Sequence, residues 1–200
     1  MDTSQQTFVI VGAGMAGARA AITLRKEGFA GRLVVLGSEP DAPYERPPLS
    51  KGYLRGEQDT AQLAIRPKDQ GWDDVGVDLR TGTTVVRVDR VAGVVELDDG
   101  ERLGYDRLLL ATGSEPRTLD VPGGDLHGVL VLRTRADADR IRDAIRQGGP
   151  VVVVGGGWIG AEVAACARQL GGDVTLLTGR SPLLRRSRPR GGRDLCATPS

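Results

Sequence analysis

Two stretches of this 200-residue chain run through the same succession of patterns. "TFVIVGAGMAGARAAITLRKEG" begins with an apolar strand, Thr7 to Val11, turns through glycines and continues as a helix to about Glu27, with "RLVVLG" as a second apolar strand. "PVVVVGGGWIGAEVAACARQLGGDVTLL" repeats strand, glycine turn, helix and strand. Near-continuous apolar strands joined through a helix pair in parallel and are covered on both faces. The chain is therefore expected to be α/β, with two Rossmann-like dinucleotide-binding units at 7–36 and 151–177. In the first unit Ala18, Ala21, Ile22 and Leu24 recur at helical spacing, and Gly28 suits the residue after the helix.

Both turns fit G-x-G-x-x-G: Gly12, Gly14 and Gly17, then Gly155, Gly157 and Gly160. The first glycine permits the tight turn, the second lets a diphosphate approach the backbone, and the third lets helix and strand pack closely. Free N–H groups at the helix start face the phosphates. The fingerprint expects an acid about 20 residues on, at the end of the second strand, to bind a ribose. The first unit offers Glu39, whereas the second has Thr178, Gly179 and Arg180.

Between the units, "TTVVRV", "GVVEL" and "DRLLLAT" read as short strands separated by "VAG" and "DDG". Over Val77 to Leu110 they predict an antiparallel β meander returning to a buried strand. The stretch from Gln58 to Asp78 carries no clear pattern. Arg135 to Gln147 predicts an amphipathic helix with Ile141, Ala144 and Ile145 on one face. Cys166 and Cys196 have no metal-ligand or redox-pair spacing, so no metal is expected, and a reducing, cytoplasmic compartment is. "MDTSQQTFVIVGAGMAG" has no Lys or Arg before its apolar stretch, and glycines interrupt it, so neither a signal peptide nor a membrane span is expected.

The connection "YERPPLSK", Tyr44 to Lys51, holds two adjacent prolines between Arg46 and Lys51. With "VGAGMAG", "PYERPPLSKGYLRG" and "YDRLLLATGSEPR" ahead of "VVVVGGGWIGAEVA", the chain resembles the FAD-dependent, NAD(P)H-using ferredoxin reductases of the putidaredoxin and rubredoxin reductase type. These belong to the pyridine nucleotide-disulphide oxidoreductase superfamily, and the resemblance runs over roughly 7–177. It implies that the first unit, 1–118, binds FAD and that 119–179 form part of an NAD(P)-binding domain. By the resemblance, Gly12, Gly14 and Gly17 hold the FAD diphosphate, Glu39 its ribose, and Arg46 and Lys51 lie along the flavin. Val85 meets the adenine, and Ala111, Thr112, Gly113 and Arg117 close over the cofactor. Gly155, Gly157 and Gly160 hold NAD(P)H, with Trp158 over the flavin or, alternatively, packed in the core. Lys51 and Glu162 are expected to form an ion pair at the reactive edge of the flavin and to be the catalytic pair. Proline fixes φ at two successive positions, which reduces the entropy lost in ordering the loop.

Disulfide reductases of this superfamily carry CxxxxC after the first unit, where this chain has "APYERPPLSK". The implied route passes electrons from NAD(P)H through flavin to a ferredoxin-type iron–sulfur protein, with no nucleic-acid or membrane partner. Two other readings stay open: a non-catalytic dinucleotide-binding fragment, and a related flavoenzyme such as an NADH oxidase or nitrite reductase subunit. Family members are longer, and the pattern breaks at about Gly179. Residues 180–200 hold six of the 24 arginines and one acid, and are expected to form a disordered basic tail. Their composition matches out-of-frame reading of G/C-rich DNA, so a frameshifted end is also expected.

Overall fold

The computed structural model describes residues 3–68 and 70–179. The expected basic tail lies outside the described residues. The chain divides into two compact units: residues up to Glu45 with Thr60–Ser114, and Arg46–Asp59 with the residues from Glu115 onward.

The first unit is built on a four-stranded parallel sheet. Strands β1 (Thr7–Val11), β2 (Arg32–Leu36), β3 (Val77–Arg80) and β7 (Arg107–Leu110) lie in the order β3-β2-β1-β7. Alternation along β1 and β2 sends side chains to two different cores. Val9, Val11, Val34 and Leu36 meet Val95, Leu97 and Leu103 of the antiparallel sheet β4 (Val85–Asp89), β5 (Val94–Leu97) and β6 (Arg102–Gly104). Ile10, Leu33 and Val35 meet Ala21 of helix α1 (Met15–Lys26), with Phe29 and Val77. Burial on both faces is why these strands read as continuous apolar runs. Each such side chain contributes roughly 1.5–3 kcal/mol of apolar burial. Arg25, in the last turn of α1, donates to the carbonyls of Phe29, Gly31 and Gly76 at 2.6, 2.9 and 2.5 Å, tying the helix end to the loop before β3.

Two expectations change here. Val77–Arg80 is not part of the meander; it pairs in parallel with β2, Leu33 opposite Val77 through Leu36 opposite Arg80. Its Val77 is apolar enough to enter the α1-side core, and no local pattern names a strand's partner. The meander proper is β4-β5-β6. Strand β7 is also not buried. It forms the sheet edge, with Leu109 and Leu110 exposed. On its α1 side Phe8, Ala20, Leu24 and Leu109 line an open apolar groove.

In the second unit, β8 (Pro150–Val154) and β9 (Asp173–Leu177) pair in parallel around helix α5 (Trp158–Gln169). Both strands alternate between half-buried and exposed residues, so one apolar face of the pair is uncovered: Val152, Val154 and Leu177 are exposed. Helix α4 (Arg135–Arg146) packs Ala138 and Ile145 inward, Ile141 is half-buried, and Ala144 is exposed. Its start is fixed by a capping box. The Thr134 hydroxyl accepts from Asp137 N–H at 3.2 Å, and the Asp137 carboxylate accepts from Thr134 N–H at 2.7 Å.

"PPLS" is not an irregular loop. Pro47–Ser50 is a turn of 3₁₀ helix, followed by the single turn α2 (Gly52–Arg55), which Gly56 ends at φ 79°. Leu49, Ser50, Tyr53 and Leu54 are all buried. Leu54 enters a core with Val163 and Cys166 of α5, flanked by Leu132, Ile141 and Val153. The one-turn helix α3 (Thr60–Leu63) occupies part of the stretch that carried no sequence pattern.

Candidate functional site

The two glycine turns have almost the same geometry. Gly12 and Gly155 open them at φ 112° and 119°, values that favour glycine. Each is tied to the end of the second strand, Gly12 N–H to the Leu36 carbonyl at 2.7 Å and Gly155 N–H to Leu177 at 2.9 Å. A Cβ on Gly17 would stand 1.9 Å from the Gly12 carbonyl oxygen, and one on Gly160 would stand 2.0 Å from that of Gly155. The third glycine is therefore required by packing.

The second glycine differs in kind. Gly14 and Gly157 are extended N-cap residues, and a Cβ on either meets nothing within 4 Å. The fold does not require glycine there, and the open space lies at the mouth of a helix. Neither helix has a side-chain cap or an acid in its first turn, so the leading N–H groups are available to an anion. The residues present therefore fit a dinucleotide diphosphate at each turn.

Glu39 follows β2, half-buried, and accepts a hydrogen bond from the Tyr44 hydroxyl at Oε2. Val85 opens β4 opposite Leu97. Ala111 N–H donates to the Val11 carbonyl at 2.7 Å, which closes the wall beside Gly12. Thr112 and Gly113 follow it, Gly113 at φ 77°.

In the second unit Arg46 donates to the Arg133 carbonyl at 2.6 Å. Arg117 and Trp158 border an open groove of about 670 Å³, whose walls include Leu130, Val152, Val154 and Ile159. Trp158 is 60% exposed, so it is not a packed core residue. The groove reaches Gly155, Gly157 and Gly160.

Lys51 and Glu162 form an ion pair, with Lys51 Nζ donating to Glu162 Oε2 at 2.8 Å. Lys51 also donates to the Pro47 carbonyl at 3.2 Å. Glu162 is the fifth residue of α5 and not in its first turn, so its carboxylate is not a helix-start acid. Burial pushes the Glu162 carboxyl up, but hydrogen bonds from Lys51 and Ser50 and the lysine charge outweigh it and hold it below the usual carboxylate range.

Sequence reasoning missed two members of this cluster. The buried Ser50 hydroxyl donates to the same Glu162 Oε2 at 2.5 Å, and the buried Cys166 thiol donates to the Ser50 carbonyl at 3.2 Å. No spacing rule links positions 112 or 116 residues apart. The available signal was that Glu162 and Cys166 stand four apart on one helix face.

The pyridine nucleotide-disulphide oxidoreductase family matches residues 6–195. Rhodocoxin reductase of Rhodococcus erythropolis is 47% identical over 171 residues, 86% of this chain and 40% of the relative. A ferredoxin–NAD(P)+ reductase of a Sphingomonas species is 44% identical, over 93% of this chain and 45% of its own length. The covalent putidaredoxin reductase–putidaredoxin complex contains a chain that superposes with a TM-score of 0.85 at 38% identity, over 93% of this chain and 45% of that one. The chain thus spans less than half the length of these relatives. The match over nearly its whole length, with both glycine turns intact, makes this chain a member of the pyridine nucleotide-disulphide oxidoreductase family.

Proposed function

We propose that this chain is the dinucleotide-binding part of an FAD-dependent reductase that takes electrons from NAD(P)H and passes them to a ferredoxin-type iron–sulfur protein. The observation that carries this reading is the pair of glycine turns, each with an open second glycine at an uncapped helix start. Gly12, Gly14 and Gly17 hold the FAD diphosphate, and Glu39, oriented by Tyr44, takes a ribose hydroxyl. Val85, Ala111, Thr112, Gly113 and Arg117 complete the FAD contacts, and Arg46 lies along the flavin. Gly155, Gly157 and Gly160 hold the nicotinamide nucleotide, with Trp158 as the aromatic over the flavin.

Flavin and nicotinamide, when bound, supply the hydride and single-electron chemistry. Lys51 contributes a fixed positive charge where negative charge gathers, and Glu162 holds the ammonium and moderates its field. The names of the relatives support the acceptor class. Among the described residues no helix is long and apolar enough to cross a membrane, and a cytoplasmic location accords with the cysteine usage.

The test uses the chain joined to the remaining portion of rhodocoxin reductase. The purified protein should show a flavin spectrum, bleach with NADH or NADPH under anaerobic conditions, and then reduce an added ferredoxin. A colourless, folded protein would overturn the reading. The 200-residue chain alone should retain less than one flavin through gel filtration, because the sheet edge at Leu109 and Leu110 and the β8–β9 face are uncovered.

A further inference from the structure

Ser50 sits at the end of the Pro47–Ser50 turn, 5% exposed. A hydroxyl has one proton to give. Two acceptors face it: the Pro47 carbonyl at 3.5 Å and Glu162 Oε2 at 2.5 Å. The carboxylate is nearer and charged, so it takes the proton. Lys51 Nζ reaches the same Oε2 at 2.8 Å. Two donors from successive residues therefore converge on one carboxylate oxygen.

The backbone that presents them is held one helical turn further along α5. The Cys166 thiol donates to the Ser50 carbonyl at 3.2 Å and lies 3.7 Å from the Lys51 carbonyl. Arg55, paired with Glu57 at 2.6 Å, donates to the Cys166 sulfur at 3.4 Å. Helix α5 thus grips the turn at two levels, Glu162 on side chains and Cys166 on backbone. A long lysine side chain loses rotamer freedom when fixed. Exposed ion pairs are worth little for that reason. Lys51 is 48% exposed at its side chain, so the pair alone does not explain why Glu162 stays in place.

The geometry points to Ser50 as a positioning residue: its hydroxyl fixes the Glu162 carboxylate, and the fixed carboxylate in turn sets where the Lys51 ammonium stands. This rests on the proposed role of the Lys51–Glu162 pair for its bearing on catalysis, but the positioning itself concerns only this chain's own atoms. Among the described residues Lys51 is the charged group acting on Glu162.

The experiment is a ¹³C NMR titration of the Glu162 carboxyl carbon in the 200-residue chain, which needs no flavin. Ser50→Ala should raise the Glu162 midpoint, since burial remains and one donor is gone. Ser50→Cys, similar in volume but a weak donor, should raise it in the same direction if the alanine variant loses its fold. Ser50→Thr, which keeps the hydroxyl, should restore it. A midpoint unchanged from wild type in folded Ser50→Ala or Ser50→Cys overturns the proposal. A shifted midpoint here, together with a colourless, folded protein when the chain is joined to the remaining portion of rhodocoxin reductase, sinks the functional reading and leaves the positioning intact.

Discussion

The two glycine turns share their opening φ, their extended N-cap and their tie to the second strand, and differ in what surrounds them. In the first, a Cβ on Gly12 would lie 2.2 Å from the Ala111 carbonyl oxygen, because β7 runs alongside. In the second, a Cβ on Gly155 meets nothing within 4 Å. Strand β1 is buried from Val9 to Val11, whereas β8 shows every second residue to solvent. The helix position two past the third glycine is also inverted in charge. Arg19 pairs with Glu45 at 3.3 Å in the first unit, and Glu162 pairs with Lys51 at 2.8 Å in the second. The Arg19 pair is open to solvent on both sides, while Glu162 is shielded and shares its oxygen with Ser50. The same turn thus serves as a finished wall in one unit and as an open shelf in the other.

The largest expected contrast is in packing. Ile10 is 1% exposed and Ile159 is 56% exposed. Ile10→Ala should cost about 2–5 kcal/mol, and Ile159→Ala less than about 0.5 kcal/mol. Urea unfolding of the two variants measures the difference, and equal losses would break the comparison. Next come the first glycines. Gly12→Ala carries both a clash and an unfavourable φ, so it should cost roughly 3 kcal/mol or more. Gly155→Ala keeps only the φ term, about 1–3 kcal/mol. Amide exchange within each unit separates the two effects.

The third glycines should behave alike. Gly17→Ala and Gly160→Ala meet carbonyl oxygens at nearly the same distance, 1.9 and 2.0 Å, and should each lose about 1–3 kcal/mol. A large inequality would mean that the two turns are not equivalent. The smallest effect is in acid. A carboxyl held below its usual range stabilises the fold fully above the unfolded carboxylate pKa and loses that contribution as pH falls through its folded value. The second unit should therefore lose stability on acidification, and Glu162→Gln should flatten that dependence without altering stability near neutral pH by more than about 1 kcal/mol. Thermal midpoints taken across the acid range read this out; an undiminished acid loss in Glu162→Gln would exclude the contribution.

What could be read in advance follows the range of the interactions. β1, α1, β2 and the second unit's β8 and α5 are local patterns, and their strand–turn–helix geometry lies where the glycines predicted it. The Lys51–Glu162 contact spans 111 residues and was accessible only through family resemblance. Placing β3 beside β2 depends on which strand is nearest in space, which a period of two does not encode. Trp158 could not be assigned from its apolar neighbours, because whether a strand face is covered depends on elements elsewhere. The Thr134–Asp137 capping box is legible locally, as T-x-x-D before an amphipathic run.

The central claim is that the two turns serve two different dinucleotides. Gly14 and Gly157 test it most directly, since a Cβ at either meets nothing within 4 Å. In the chain joined to the remaining portion of rhodocoxin reductase, Gly14→Val should yield a folded, colourless protein that still binds NAD(P)H. Gly157→Val should yield a yellow protein whose flavin band no longer bleaches on addition of NADH or NADPH. The measurement is one absorption spectrum of each purified variant, before and after the nucleotide. Full flavin content in Gly14→Val, or normal bleaching in Gly157→Val, would contradict the assignment of the first turn to FAD and the second to the nicotinamide nucleotide.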